Sequence, residues 1–211
     1  MKNVFVIIIC LVLTAGMTAC GNERPEEKEQ ITTISESKTV AIHAGEVQVL
    51  MDEARYYAYT AQATYEAYYI SENREIDWDS KMKKEVTWQQ GVKSIVLDDI
   101  CRRECMYALA SEYNITLTKE EEEMIDVAVE KYYSDTDKKL MSKIDIEKKR
   151  LKFVFEKEEI ASKVEDVMMA TDKNLSDETY ENWKTGNTVT AEKQWKMITF
   201  KEHIFTLEDI Q

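Results

Sequence analysis

The side chains best suited to covalent or metal chemistry are few, four Cys and two His in 211 residues. Cys10 and Cys20 stand in and just after an apolar N-terminal stretch, while Cys101 and Cys105 sit one helical turn apart in the body of the chain. On a helix that spacing leaves Cβ atoms ~5–6 Å apart, whereas a relaxed disulfide needs ~3.5–4.5 Å. Neither His43 nor His203 is near the pair in sequence, so a metal site there lacks further ligands. Cys101 and Cys105 are expected to be buried free thiols that pack as small hydrophobes.

Hydrolytic and phosphate-binding signatures are missing. The chain has no G-x-S-x-G, no H-E-x-x-H and no glycine-rich phosphate loop. Neither histidine has flanking residues that suggest a general base. Glu120–Glu123 reads as an acidic first turn that favours the helix dipole. Asp135 and Asp137 do not complete a calcium loop. No catalytic residue, metal or cofactor is expected, and the chain is not expected to be an enzyme.

The remaining chemistry is that of contact. Tyr56, Tyr59, Tyr65, Tyr68 and Tyr69 crowd one segment, Met51–Ile70. Tyr offers large, adaptable contact area at low entropic cost. The competing reading is that such rings are ordinary packing, as aromatic stripes at helical spacing usually are. Tyr56 and Tyr59 lie off the Met51–Ala54–Ala58–Ala61 stripe and are expected to face outward.

The elements that must position these rings are mostly helical. Gly numbers five and Pro one, too few for the many turns of a sandwich or barrel. Val40–Ile42 reads as a strand, with a tight turn at Ala44-Gly45-Glu46 and a hairpin or strand-to-helix corner after it. A helix is expected over Met51–Ile70, then a polar loop over 71–79. Ser80 is expected to cap a second helix reaching Tyr113. Asn114–Leu117 breaks it, and Thr118 with Glu121 forms a capping box for a third helix to Tyr133. Leu140–Ile144 reads as a short helix, and Asp145 as the cap of a long one ending at Ala170. Ser176–Trp183 adds one more helical stretch. Gln194–Phe205 has extended character and is expected to pair with Thr39–His43.

Charge and targeting bound the partners. With 41 acidic against 28 basic side chains, the formal net charge is −13. That argues against nucleic acid, which needs a basic face, and against lying flat on an anionic membrane. Met1–Asn3 is a basic start and Val4–Leu13 an unbroken apolar run, too short to cross a bilayer that needs ~20 residues. Thr18-Ala19-Cys20 follows. Residues 1–19 resemble a bacterial lipoprotein signal, with Met17 where the usual Leu stands. That resemblance implies cleavage before Cys20, a diacylglyceryl thioether on Cys20 and acylation of its new amine. The alternative is an ordinary secretory signal with an incidental Cys. Residues 20–38 are polar and read as a flexible tether. The expected location is the outer, extracytoplasmic face of the cell membrane, held through N-terminal lipid.

Residues 39–211 form the expected domain. Read in order, "TVAIHAGEVQVLMDEARYYAY" resembles the opening of the SurA/PrsA-type chaperone domain. There a strand, a tight turn and an acid-opened helix follow one another. "VKSIVLDDICRRECMYALASEYNITLTKEEEEMIDVAVEKY" is similar to that family's second helix, its break and its acidic third helix. In this chain Ala44-Gly45 stands where the family has Asn-Gly. The resemblance implies a mainly α, SurA-N-like helical domain with a small β element pairing N- and C-terminal strands. It also implies a cradle for unfolded or partly folded exported polypeptides. Residues 171–211 lack the Gly-rich, His-containing patterns of the parvulin module found in most relatives, so prolyl-isomerase activity is not expected. The alternative function is a dedicated binding or assembly lipoprotein for one envelope partner.

Overall fold

The computed structural model of the protein describes residues 38–210. The expected signal 1–19, the expected lipid acceptor Cys20 and all of the expected tether except Lys38 lie outside these residues. The described domain is mainly helical, with a small sheet at its N-terminal end.

β1 (Val40–Ala44) and β2 (Val47–Leu50) form an antiparallel hairpin in which Ala44 faces Val47. Gly45 makes the turn at φ +62°, and a Cβ there would sit 2.1 Å from Asn187 Oδ1. Only glycine meets both demands without strain. β1 is the central strand of three, because β5 (Val189–Ala191) pairs on its other edge, Ile42 opposite Ala191. The N- and C-terminal parts of the domain thus meet in one sheet. The C-terminal strand is Val189–Ala191, however, and not Gln194–Phe205.

The chain passes straight from β2 into α1 (Met51–Ser71), with Met51 N–H donating to Thr39 O at 2.8 Å. A second hairpin, β3 (Lys81–Lys83) and β4 (Val86–Thr87), fills the stretch where a helix start at Ser80 was expected. α2 (Trp88–Ala108) begins at a capping box of Thr87 and Gln90, a device stabilising a helix start by ~1 kcal/mol. It ends short of Tyr113 in turns closed by Asn114 at φ +56°.

The Thr118–Glu121 capping box does open α3 (Lys119–Asp135). Asp137 caps α4 (Lys138–Ile144). Asp145 is not the cap of the next helix. It closes α4 in the left-handed region, where Arg55 Nη2 holds its Oδ2 at 3.0 Å. α5 (Lys148–Thr171) and α6 (Leu175–Gly186) follow.

α5 is the central helix, packed against both α2 and α3. Cys101, Cys105 and Met106 of α2 meet Ala161, Val164 and Met168 of α5 and Tyr180 of α6 in one buried cluster. Both thiols are free and buried. Among the described residues no helix is long and apolar enough to cross a membrane.

The last stretch explains its own misreading. α7 (Lys193–Met197) is a short helix, and Ile198–Phe205 runs without regular structure. Its buried residues are Ile198, Phe200 and Ile204. These three are in phase with the two-residue period of a strand, which is why the stretch reads as extended. Glu202 between them is exposed, however, and the chain bends at 201–202 and 204–205 instead of pairing in a sheet.

Candidate functional site

α1 distributes its tyrosines between two opposite faces. Tyr56 and Tyr65 are nine residues apart, about half a turn out of phase at 3.6 residues per turn. Tyr56 is only 8% exposed. Its ring centroid lies 5.0 Å from that of Tyr57, 5.8 Å from Tyr132 and 6.0 Å from Phe155. Burial pushes its hydroxyl well above the usual tyrosine range. Tyr56 is therefore core, joining α1 to α3 and α5, and the expectation that it faces outward is overturned. Tyr59 is half-buried, 6.4 Å from the Phe200 ring and beneath the Lys143 ammonium at 5.2 Å.

The other three rings gather at the C-terminal end of α1. Tyr65 lies between Trp78 and Trp88, 6.3 Å from each. Tyr69 stands 5.8 Å from Trp88 and is covered by the Arg74 guanidinium at 5.1 Å. Tyr68, 59% exposed, meets Tyr69 edge-on at 5.8 Å. The i, i+3 and i+4 spacing aligns the three, and the Thr87 cap delivers Trp88 beside them. Burial raises the Tyr65 hydroxyl, and the neighbouring Asp99 charge adds to this. The result is an aromatic surface with a carboxylate at its edge. Sequence spacing within α1 gives no sign of the Trp88 contribution, which depends on where the Thr87 cap starts α2.

Trp78 links this surface to the C-terminal segment, its ring 4.8 Å from that of Phe200. Gln62 and Glu66 of α1 meet the segment from one side, Gln89 and Lys93 of α2 from the other. Glu66 Oε2 accepts the backbone N–H groups of Ile204 (2.7 Å) and Phe205 (2.9 Å), while its Oε1 accepts from Trp78 Nε1 and Gln62 Nε2. His203 Nδ1 stands 3.2 Å from the same Oε1. Gln62 Nε2 donates to Glu202 O at 2.9 Å and Gln89 Oε1 accepts from Phe200 N at 2.5 Å. Lys93 Nζ donates to Trp195 O and Ile198 O at 2.8 and 2.6 Å. Burial lowers the Lys93 amine to about 8.

A second polar cluster escaped the sequence reading. Lys157 of α5 is buried between Glu53 of α1 and Glu104 of α2, paired with both. Arg150 Nη2 holds Glu53 Oε2 at 2.8 Å, and its Nε reaches Asp52 at 3.4 Å. Burial raises the Glu104 carboxyl, with Lys157 the main opposing influence. The signal was a gap in the apolar stripe of α5, where Val154 and Ala161 require a buried residue near 157. This cluster ties three helices together, and its charges are engaged with one another. Desolvation offsets much of the attraction within such a cluster, while removal of one member leaves an uncompensated buried charge.

Burial pushes the Cys101 thiol up to about 12 and Cys105 to about 11, which leaves neither a ready nucleophile. Among the described residues no group of three His, Cys, Asp or Glu is placed to hold a metal ion. No family model, curated protein or solved structure matches this chain.

Proposed function

We propose that this protein is a membrane-tethered, extracytoplasmic binding protein for unfolded or partly folded exported polypeptides, without prolyl-isomerase activity. The observation that carries the reading is the aromatic surface of Tyr65, Tyr68, Tyr69 and Trp88. Rings at a surface supply large contact area with few rotatable bonds, and their polar tips keep that area wettable. The acidic body keeps such a surface soluble and disfavours nucleic acid. The lipoprotein-like signal 1–19, followed by Cys20, and the resemblance to the SurA/PrsA-type chaperone domain support the same assignment.

The test is light scattering of a refolding client with the wild-type protein and with the double variant Tyr65→Ala/Tyr68→Ala. Wild type is expected to suppress aggregation of several unrelated clients, and the variant to lose most of that effect while staying folded. Failure across all clients, with one tight partner recovered by crosslinking in the intact envelope, would favour a dedicated assembly lipoprotein instead.

A further inference from the structure

The C-terminal segment is held as a ligand is held. Among the described residues, its main chain from Thr199 to Phe205 pairs with side chains, those of Gln62, Glu66 and Gln89. It adds to no strand and continues no helix. Its own contribution is three fully buried apolar side chains, Ile198, Phe200 and Ile204, with exposed Thr199, Lys201 and Glu202 between them. The contacts are thus to backbone groups that every polypeptide has, plus apolar anchors that many have.

The cleft also demands an occupant. Gln62 and Glu66 are 0% and 1% exposed, and a buried polar group without a partner costs ~1–3 kcal/mol or more if charged. The Lys93 ammonium donates to two main-chain carbonyls, those of Trp195 and Ile198. An empty cleft leaves Glu66 Oε2 without its two main-chain donors and Lys93 without Ile198 O, whereas a second segment that offers the same main-chain groups restores these bonds.

We propose that the cleft between α1 and α2 is an exchangeable polypeptide-binding site, occupied at rest by Ile198–Phe205 and taken over by an extended apolar segment of a bound polypeptide. The identity of the occupant follows from what the cleft already holds. Its position follows from Trp78, which touches both Phe200 and Tyr65 and so joins the cleft to the aromatic surface. The inference rests on the polypeptide-binding reading and locates a second contact for the same client.

The competing segment is tethered, so its effective concentration is on the order of millimolar. The test must weaken it or match it. The probe is a labelled synthetic peptide with the sequence of residues 196–206. It is expected to bind the full-length Phe200→Ala variant at least tenfold more tightly than wild type. The same peptide with only the phenylalanine that corresponds to Phe200 replaced by alanine is expected not to bind. In wild type, millimolar peptide is expected to speed hydrogen exchange at the Ile204 and Phe205 amides at least tenfold. This second measurement needs no variant, so a misfolded Phe200→Ala protein does not shelter the proposal.

Unchanged exchange in wild type would overturn the inference, as would equal binding to both proteins. So would a Phe200→Ala protein that dimerises by swapping segments and excludes the peptide. None of these readouts involves client aggregation. Suppression without peptide exchange removes this inference alone, and exchange without suppression removes the chaperone-like reading alone.

Discussion

Glu66 Oε2 accepts the backbone N–H of Ile204 at 2.7 Å, across 138 residues of sequence. The same carboxylate takes Phe205 N–H, Trp78 Nε1 and Gln62 Nε2. One buried acid of α1 thereby organises the loop after α1 and the C-terminal segment together. Glu66→Ala removes four acceptor contacts at once and strands the Ile204, Phe205 and Trp78 donors, while Gln62 Nε2 keeps Glu202 O. With hydrogen bonds to charged groups contributing ~1.5–3 kcal/mol each, the variant is expected to lose at least about 3 kcal/mol by urea denaturation. A loss under about 1 kcal/mol would mean that the segment is held by its apolar anchors alone.

Tyr56 and the Tyr65/Tyr68 pair separate stability from binding. Tyr56→Ala opens a cavity between α1, α3 and α5, with an expected cost of about 3–5 kcal/mol. Tyr65→Ala/Tyr68→Ala touches a half-exposed surface and is expected to cost far less. Thermal unfolding of the two proteins side by side checks the order, and the reverse order would contradict the placement of both faces.

Much of this was legible from local chemistry. The Gly45 turn, the span of α1 and the Thr118–Glu121 capping box each depend on a few adjacent residues, and each stands where the sequence predicts it. The misplaced features depend on distant groups. Nothing near Ile198–Phe205 reveals that its backbone partners are side chains of α1 and α2, so its apolar content reads as a strand. Tyr56 reads as outward because it lies off the Met51–Ala54–Ala58–Ala61 stripe, and nothing local reveals the burial that Tyr132 of α3 and Phe155 of α5 bring to its face. The Lys157 cluster stays hidden because charged residues are ordinarily assigned to solvent.

Lys157→Met leaves Glu53 and Glu104 buried with one fewer cation. Breaking a buried ion pair from one side costs ~3–5 kcal/mol, and that loss is expected near neutral pH. Burial already raises Glu104, and a raised carboxyl contributes stability at low pH that is lost as pH rises through its folded-state value. The variant raises it further, so its deficit against wild type is expected to shrink on acidification. Urea titrations across the acidic range check the sign, and a deficit that grows on acidification would contradict it.

Lys93 titrates at about 8 in the folded protein against 10.5 ordinarily, because it is desolvated. The unfolded chain therefore holds this proton more tightly between those values. The Lys93 contribution to stability rises with pH across that window and is lost as pH falls through about 8. Wild type is expected to gain on Lys93→Met as pH climbs through this range. Parallel curves for the two proteins would show that Lys93 is not desolvated by the C-terminal segment.

Cys101 and Cys105 are buried, with thiols raised to about 12 and about 11. A thiol reagent is expected to label them only at the rate of unfolding, and at once in denaturant. Rapid labelling of native protein would contradict the packing of α2 on α5.

The central claim is that the aromatic surface at the end of α1 binds non-native polypeptide. Light scattering of several unrelated refolding clients, with wild type and with Tyr65→Ala/Tyr68→Ala at equal concentration, tests it most directly. The account predicts dose-dependent suppression by wild type and little by the folded variant. Equal suppression by both proteins, or none by wild type, would contradict it.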